Sequence, residues 1–310
     1  MYRLGGLRLV MTFRVYYPDT PDIPLPPGHR FPAHKYRLLR EHIAAESILD
    51  PAQLVASPPA SVAELCRAHD PAYVGAMIDG TVSESIQRAI GIPWSEVLVA
   101  RARATAGGTL AAARSALTDG VSGQLAGGSH HAHRHAGSGF CVFNDCAVAA
   151  LTLLDEGAIT RAAILDLDVH QGDGNAAIFA QDQRVFTASV HGATNFPLAK
   201  PASDLDIALP DGTEDAAYLG GCGEALAGVL ATLPQLVFYI AGVDPLASDR
   251  LGRLNVTPLG LHIRDQLVLS ACRRARIPIV ILIGGGYAEP ITQTVEAYAQ
   301  TFAVAKAVFG

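Results

Sequence analysis

Residues 162–175, AAILDLDVHQGDGN, place a short apolar run directly before a cluster of carboxylates and a histidine. The apolar part has the length of a buried parallel strand, and similar runs recur along the chain between longer amphipathic or alanine-rich segments. The predicted strands are Thr12–Tyr17, Ala162–Asp168, Val185–His191, Leu236–Ala241 and Pro278–Ile283. Strands that alternate with helices are typical of βαβ units. The sequence therefore predicts an α/β fold, a single open, mostly parallel sheet with helices on both faces.

Capping residues mark three of the predicted helix starts. Ser95, Thr213 and Thr257 each precede a helical pattern, and a hydroxyl at that position accepts a hydrogen bond from the first turn. The helices are predicted to end near Ala116, Leu233 and Arg274, and a further helix is expected over residues 290–308. The proline-rich residues 18–32 are predicted to form a non-helical loop.

Length, composition and charge exclude several classes of protein. A chain of 310 residues, half of them apolar, buries a sizeable core. We expect one domain over residues 1–310, in which residues 1–10 are a candidate for a non-native or disordered extension before Met11. The 23 basic and 29 acidic residues give a formal charge of −6, which argues against a nucleic-acid partner and favours a cationic substrate.

The sequence also argues against a membrane partner. The longest uninterrupted apolar runs, such as Leu236–Ala241, have six residues, whereas a spanning helix needs about 20. The N-terminal MYRLGGLRLV has no apolar stretch or cleavage site, so no secretory signal is expected. Five cysteines without a Cys-x-x-Cys pair are typical of reduced thiols. We therefore expect a cytoplasmic protein.

Polar side chains gather after the predicted strands, where open α/β sheets bind their ligands. Asp166, Asp168 and His170 occupy alternate positions, which on an extended strand would point to one face. Asp244 follows the run that ends at Ala241. Carboxylates packed this closely need a cation or strong hydrogen-bond donors to compensate them, and a metal ion is the natural choice. Asp168, His170 and Asp244 are therefore predicted to bind a catalytic metal ion and to leave one coordination position open.

Candidate proton acceptors lie in the loop GGSHHAHRHAGSGF, residues 127–140. His130 and His131 are adjacent there, and imidazole titrates in the range that a general base needs. Asp166 and Asp173 remain available to orient the two rings, so we expect two His–Asp pairs beside the cation. Tyr287 follows three glycines in IGGGY, and its phenol is a candidate donor to a carbonyl oxygen that becomes an oxyanion.

Five segments in this order resemble the motif series of the zinc-dependent histone deacetylase family: GGSHHA, GSGFCVFND, ILDLDVHQGDGN, AGVDPLASDRLG and IGGGY. The segments GHRFPAHKY and SDLDIALPDGTEDAAYL are similar to its class IV-like and bacterial branch. The resemblance implies an arginase–deacetylase fold, a zinc or ferrous ion, and hydrolysis of an acyl-lysine or acyl-amine amide by a metal-activated water. The loop GIPWS, residues 91–95, lacks the tyrosine–aspartate pair with which many animal members grip the substrate backbone.

The resemblance also implies roles for individual residues. The residues that match the zinc ligands are Asp168, His170 and Asp244. Those that match the tandem histidines, their carboxylates and the carbonyl-polarising tyrosine are His130, His131, Asp166, Asp173 and Tyr287. In the family, the second histidine is usually assigned as general base and then acid. Those that match the acyl tunnel and its mouth are Gly139, Phe140, Phe196 and Leu251, and those that match a structural potassium site are Asp166 and Ser189.

Three other functions are compatible with parts of the sequence. A two-manganese ureohydrolase needs bridging carboxylates, but Gly242 stands two residues before Asp244. A non-catalytic acyl-group reader would be expected to lack a ligand, a tandem histidine or the tyrosine. His131, His133 and His135 are also spaced as in binuclear metallohydrolases, and we interpret the last two as loop-surface histidines. The substrate stays open between an acyl-lysine protein, an acetylated polyamine and a small acylated metabolite, and the oligomeric state is not predicted.

Overall fold

A computed structural model describes residues 13–310, so the proposed extension over residues 1–10 and the start of the first predicted strand at Thr12 lie outside the described residues. The strands are β1 Val15–Tyr17, β2 Leu54–Ala56, β3 Val121–Gln124, β4 Ala162–Asp166, β5 Val185–Gly192, β6 Leu205–Leu209, β7 Val237–Ile240 and β8 Ile279–Leu282. They form one sheet in the order β2-β1-β3-β8-β7-β4-β5-β6. Every neighbouring pair is parallel, which confirms the predicted sheet.

Ten α-helices accompany the sheet within residues 13–310. They are α1 Lys35–Ala45, α2 Val62–Ala68, α3 Pro71–Asp79, α4 Glu84–Ile90, α5 Glu96–Asp119, α6 Asp145–Asp155, α7 Asp173–Phe179, α8 Asp215–Ala231, α9 Pro258–Ala275 and α10 Thr292–Phe309. Residues 18–32 contain no helix or strand, as predicted.

The capping predictions are confirmed at two helices and wrong at the third. The side chains of Ser95 and Thr257 accept hydrogen bonds from the first turns of α5 and α9. At α8 the cap position is held by Glu214, not Thr213. The Thr213 hydroxyl instead donates to the carbonyl of Pro210 at 2.7 Å, so it is committed to the preceding turn.

Alternate residues of β4 face two different hydrophobic cores. Ala163 and Leu165 pack in a core that also contains residues of α8, α9 and α10. Ala162 and Ile164 pack on the opposite face in a core that contains residues of α2, α5 and α6. Burial on both faces explains why this strand reads as a continuous apolar run. It also confirms the prediction of helices on both sides of the sheet.

The carboxyl ends of β3, β8, β7 and β4 lie side by side at one edge, because these four parallel strands are neighbours. The loops that follow them carry most of the predicted site residues, whereas Asp166 ends β4, Ser189 lies in β5 and Phe196 follows β5. The prediction that Asp168 belongs to a strand is wrong, because β4 ends at Asp166. Within the part of the chain that the structure describes, no helix is long and apolar enough to cross a membrane.

Candidate active site

Asp168, His170 and Asp244 converge in the loops after β4 and β7. The Nδ1 atom of His170 lies 3.0 Å from Asp168 Oδ1 and 3.0 Å from Asp244 Oδ2. One ligand atom from each of the three buried residues lies within 4.8 Å of the others. A turn, not the alternation of an extended strand, brings them together: the amide of His170 donates to Asp168 Oδ1 at 2.9 Å.

Backbone amides hold the two carboxylates in place. The amide of Gly285 donates to Asp168 Oδ2 at 2.5 Å, and the amide of Val169 donates to Asp244 Oδ1 at 2.9 Å. These donors come from the β8 loop and the β4 loop, so the sheet itself sets the spacing between the ligand atoms. Backbone hydrogen bonds therefore fix the position of both carboxylates.

The donor chemistry of the three residues fits a divalent cation. Two carboxylates and one imidazole are a set that zinc and ferrous ions accept. Burial lowers the pKa of His170, but its hydrogen bonds with Asp168 and Asp244 have a larger effect in the opposite direction and raise the pKa to about 10. The pair of buried carboxylates therefore demands positive charge at this point, which a proton on His170 or a bound cation supplies.

His130 forms the first histidine–aspartate pair. Its Nδ1 lies 2.7 Å from Asp166 Oδ2, and both residues are buried. Burial lowers the pKa of His130, but the charges of Asp166 and Asp168 raise it to about 9. His130 is therefore a cation at neutral pH.

His131 forms the second pair, and its protonation is the opposite. Its Nδ1 lies 2.6 Å from Asp173 Oδ1. Burial and the charge of His130 lower the pKa of His131 to about 4. Because a carboxylate only accepts, Nδ1 carries the proton of the neutral ring and Nε2 keeps its lone pair. His131 lines the cavity, so the lone pair is available to a proton donor there.

The interpretation of His133 as a loop-surface histidine is wrong in one respect. Its side chain is 37% exposed, but its Nε2 lies 2.9 Å from Asp173 Oδ2, so His131 and His133 share one carboxylate. Burial raises the pKa of Asp173, but the two hydrogen bonds lower it well below its usual range. His135, at 74% exposure, lies 3.4 Å from Asp70 at the surface. The only feature of the sequence that could have indicated this shared contact is the alternate spacing of His131 and His133.

Tyr287 and the predicted tunnel residues line one cavity of about 430 Å³ together with His131 and His170. The tunnel residues that line it are Gly139, Phe140, Phe196 and Leu251. The ring centroid of Phe196 lies 4.9 Å from that of His131, and the centroid of Phe140 lies 6.0 Å from that of Tyr287. Burial raises the pKa of Tyr287 well above its usual value, so the phenol keeps its proton.

Gly139 leaves room for the tunnel between these rings. It has a φ of +51°, and an added Cβ would lie 2.6 Å from His131 Cδ2 and 3.1 Å from Phe196 Cε1. Any larger residue would therefore press on the general-base candidate and on the tunnel wall.

Asp249 is a site residue that the sequence reasoning missed, although it lies within the motif AGVDPLASDRLG. Its Oδ2 accepts from the amide of Tyr287 at 2.6 Å, and its Oδ1 accepts from the amides of Leu251 and Gly252 at 2.8 and 2.9 Å. One half-buried carboxylate thus joins the loop of the tyrosine to the loop of the tunnel mouth.

Lys35 is a second site residue that the sequence reasoning missed. This buried ammonium donates to the carbonyl of Gly286 at 3.1 Å and lies 4.7 Å from the ring centroid of Tyr287. Burial lowers the pKa of Lys35 to about 8. A cation beneath the tyrosine ring, bonded to the preceding residue, fixes the position of the phenol. The segment GHRFPAHKY contains it, but no local pattern announces a lysine that folds inward.

Asp145 holds the histidine loop and was also missed. It accepts from the amides of Gly128 and Ser129 at 3.2 and 2.7 Å, just before His130. The preceding Asn144 caps α6 through the amide of Ala147 at 2.9 Å. The segment VFND therefore works structurally, by tying the start of α6 to the loop of the tandem histidines.

The two residues matched to a potassium site, Asp166 and Ser189, face each other across the β4–β5 ladder. The Ser189 hydroxyl is hydrogen-bonded to His191 Nδ1 at 3.0 Å. Potassium binding at this place stays a prediction.

Comparisons with known proteins agree on one family. Residues 29–303 match the model of the histone deacetylase domain. An uncharacterized protein of Picosynechococcus sp. is 44% identical over 296 residues, which cover 95% of this chain and 98% of that protein. Histone deacetylase 2 of Arabidopsis thaliana is 30% identical over 269 residues, which cover 84% of this chain and 70% of that protein.

Solved structures share the fold. A histone deacetylase homolog from Aquifex aeolicus superposes with a TM-score of 0.83 at 23% identity, over 95% of this chain and 84% of that one. A histone deacetylase homolog in complex with SAHA gives a TM-score of 0.81 at 23% identity, over 96% and 88% of the two chains.

Proposed function

The chain belongs to the histone deacetylase family, and we propose that it is a metal-dependent amide hydrolase that removes an acyl group, acetyl above all, from a lysine side chain or a related amine. Membership of the family supports a deacetylase activity. The observation that carries the proposal is one cavity lined by a neutral His131, a protonated Tyr287 and the metal-ligand candidate His170.

Asp168, His170 and Asp244 would hold the metal, for which we propose zinc, with ferrous iron as the alternative. A divalent cation in this place supplies Lewis acidity to a carbonyl oxygen and lowers the pKa of water. The remaining chemistry belongs to the side chains of the chain itself.

His131 moves the proton. Its neutral Nε2 accepts a proton from the attacking water as the new carbon–oxygen bond forms. The same nitrogen then donates that proton to the amine as the carbon–nitrogen bond breaks, so the ring ends as it began. Asp173, bonded to Nδ1, keeps the ring in the tautomer that this sequence requires.

Tyr287 and His130 stabilise charge. The Tyr287 phenol donates a hydrogen bond to the substrate carbonyl oxygen as that oxygen becomes an oxyanion. The carboxylate of Asp166 raises the pKa of His130 and favours its protonated form, which makes it a weaker proton acceptor than His131. The charge of His130, held by Asp166, offsets negative charge that develops in the transition state. The rings of Phe140 and Phe196 supply apolar walls to the cavity in which these groups act.

The test joins metal analysis to turnover of Tyr287→Phe. We expect the metal content to be unchanged and kcat/KM on acetyl-lysine peptides to fall by about 10²- to 10³-fold, the effect of losing one oxyanion donor. Tyr16→Phe is the control, because that buried hydroxyl is bonded to Ser115 and does not line the cavity.

Near-wild-type turnover of Tyr287→Phe would contradict its role. Stoichiometric metal without turnover on any acyl amine would favour an acyl-group reader instead, and two manganese ions with guanidine hydrolysis would favour a ureohydrolase. A cytoplasmic location and the absence of a nucleic-acid partner stay predictions.

A further inference from the structure

The mouth of the catalytic cavity carries three exposed arginine side chains. Arg30 comes from the loop before α1, Arg88 from the last turn of α4 and Arg253 from the loop before α9. Among the described residues that line this cavity there is no aspartate or glutamate. Three separate segments thus contribute positive charge to one opening, and the two carboxylates that pair with Arg88 and Arg253 lie outside the cavity lining.

The arginines are only weakly engaged elsewhere. Arg88 lies 3.2 Å from Glu84 on an exposed face of α4. Arg253 lies 3.6 Å from Asp211 and donates an exposed hydrogen bond to the hydroxyl of Thr194 at 3.0 Å. Arg30 makes no ion pair with any residue of the range 13–310. Exposed pairs of this kind contribute little and exchange readily with water or with a stronger partner. All three guanidinium groups therefore remain available to a substrate.

The mouth has the opposite sign to the whole protein. The formal charge of −6 favours a cationic substrate, but salt screens charges beyond about 8 Å at physiological ionic strength. What a substrate meets at the cavity is therefore the local field of Arg30, Arg88 and Arg253, which Glu84 and Asp211 reduce at the last two. A polyamine would bring further positive charge to this opening and be repelled.

The tunnel separates chemistry from recognition. Tyr287 and His131 lie at the reacting end, whereas the arginines surround the opening, where the groups that flank an acylated lysine must lie. Guanidinium groups bind carboxylates with two parallel hydrogen bonds, which suits recognition of acidic neighbours.

On the premise that the chain is the hydrolase proposed above, we propose that its preferred substrate is an acyl-lysine flanked by carboxylates, which Arg30, Arg88 and Arg253 bind at the cavity mouth.

The experiment compares three short peptides with one acetyl-lysine each, flanked by two aspartates, two serines or two arginines. On the metal-loaded protein at low salt, we expect kcat/KM for the acidic peptide to exceed that for the basic peptide by roughly tenfold. The preference should shrink toward unity in about 0.5 M NaCl because the charges are exposed. Acetylated spermidine, a cationic substrate, should be the poorest.

A second pair of probes distinguishes the source of the carboxylate. Nα-blocked acetyl-lysine is compared as its free acid and as its amide. A preference for the free acid larger than that for the acidic peptide assigns the mouth to a small acyl amino acid or a chain terminus. A larger preference for the acidic peptide assigns it to side chains within a protein.

The matched variants remove the same charge from two places. Arg30→Gln, Arg88→Gln and Arg253→Gln combined should abolish the acidic preference. The control combines Arg114→Gln, Arg161→Gln and Arg184→Gln near the opposite edge of the sheet, where Arg161 and Arg184 precede β4 and β5. Two of these control arginines also form exposed ion pairs, with Glu156 and Asp182. The control should keep the preference.

Binding separates the two proposals. The same peptides, carrying an uncharged fluorophore, are titrated with metal-loaded Tyr287→Phe protein and followed by anisotropy. Suppose that binding shows an arginine-dependent preference for the acidic peptide and the wild type shows no turnover. That result supports recognition of carboxylates by the arginines and overturns the proposed hydrolase activity. Turnover of all peptides with equal kcat/KM, or a preference for basic substrates, overturns the proposed recognition of carboxylates by the arginines. It does not contradict the proposed hydrolase activity. Equal or undetectable binding of every peptide, together with no turnover, overturns both.

Discussion

The two histidine–aspartate pairs of the site have the same geometry, but the pKa values of their histidines are shifted in opposite directions. His130 and His131 are neighbours whose ring centroids lie 4.1 Å apart, and their Nδ1 atoms lie 2.7 and 2.6 Å from buried carboxylates. Yet the pKa of His130 is about 9 and that of His131 is about 4. Two buried histidines with the same kind of partner thus carry different charges at neutral pH.

The difference comes from the second neighbour of each ring. His130 lies near Asp168 as well as Asp166, so two carboxylates outweigh the effect of burial. His131 has Asp173 alone, shares it with His133, and lies beside the positive charge of His130. Titratable groups whose pKa values are pushed apart in this way are the mark of divided acid–base roles. A histidine–aspartate pair by itself does not determine which role a histidine takes.

The largest expected effect separates the two histidines. His131→Gln should lower kcat/KM by about 10²- to 10⁴-fold, because the proton acceptor is lost. His130→Gln should lower it about tenfold, since each 1.4 kcal/mol of lost charge stabilisation is tenfold in rate. Steady-state kinetics with equal metal content in both variants is the measurement. Equal losses would show that the roles are not divided.

The carboxylates should repeat the asymmetry on a smaller scale. Asp173→Asn replaces an acceptor-only carboxylate with an amide that can also donate, so it no longer selects the tautomer of His131, and we expect a loss of about 10- to 100-fold in kcat/KM. Asp166→Asn should instead lower the pKa of His130, because it removes a charge that raises it. Kinetics tests the first and NMR titration of the ring tests the second. A His130 pKa that stays near 9 in Asp166→Asn would contradict the electrostatic account.

His69 shows what burial does without a carboxylate. Its Nδ1 donates to the carbonyl of His133 at 2.9 Å and its Nε2 accepts from the amide of Asn144 at 2.8 Å. Burial lowers its pKa from 6.5 to about 4. The unfolded chain therefore binds more protons between pH 6.5 and 4, so the stability that neutral His69 contributes is present above pH 6.5 and is lost as the pH falls through this window.

His69→Gln keeps one donor and one acceptor but does not titrate. We expect its free energy of unfolding to fall less than that of the wild type between pH 6.5 and 5, by about 1.5 kcal/mol. Urea unfolding at the two pH values measures this difference. Other histidines, such as His191, are present in both proteins and cancel. Parallel losses of stability would rule out His69 as a source of acid sensitivity.

The smallest effect concerns the shared carboxylate. His133→Gln weakens the second hydrogen bond to Asp173, and we expect kcat/KM to change about two- to tenfold, the scale of one hydrogen bond. His135→Gln is the matched control, because that exposed histidine is in the same loop but its carboxylate neighbour is Asp70. If both variants behave alike, the contact of His133 with Asp173 has no catalytic consequence.

The sequence predicted β1, β4, β5, β7 and β8 from their apolar or β-rich runs, and it missed β2, β3 and β6. β4, β7 and β8 read as apolar runs because helices cover both sides. β3 was missed because Ser122 and Gln124 are polar yet buried. Their side chains find partners far along the chain, the carbonyl of Arg14 and the hydroxyl of Thr109. No local pattern shows that a distant residue will satisfy a buried polar group.

The same division holds for the site. The sequence by itself determined the donor types, because carboxylates and imidazoles that follow successive parallel strands must meet at one edge of the sheet. Only the tertiary structure decided that Lys35 and Asp249 fix the loop of Tyr287 and that His133 shares Asp173 with His131. It also decided that three arginines line the mouth of the cavity in a protein whose net charge is negative. Charge, burial and pKa depend on distances through space, and those distances exist only once the loops have packed together.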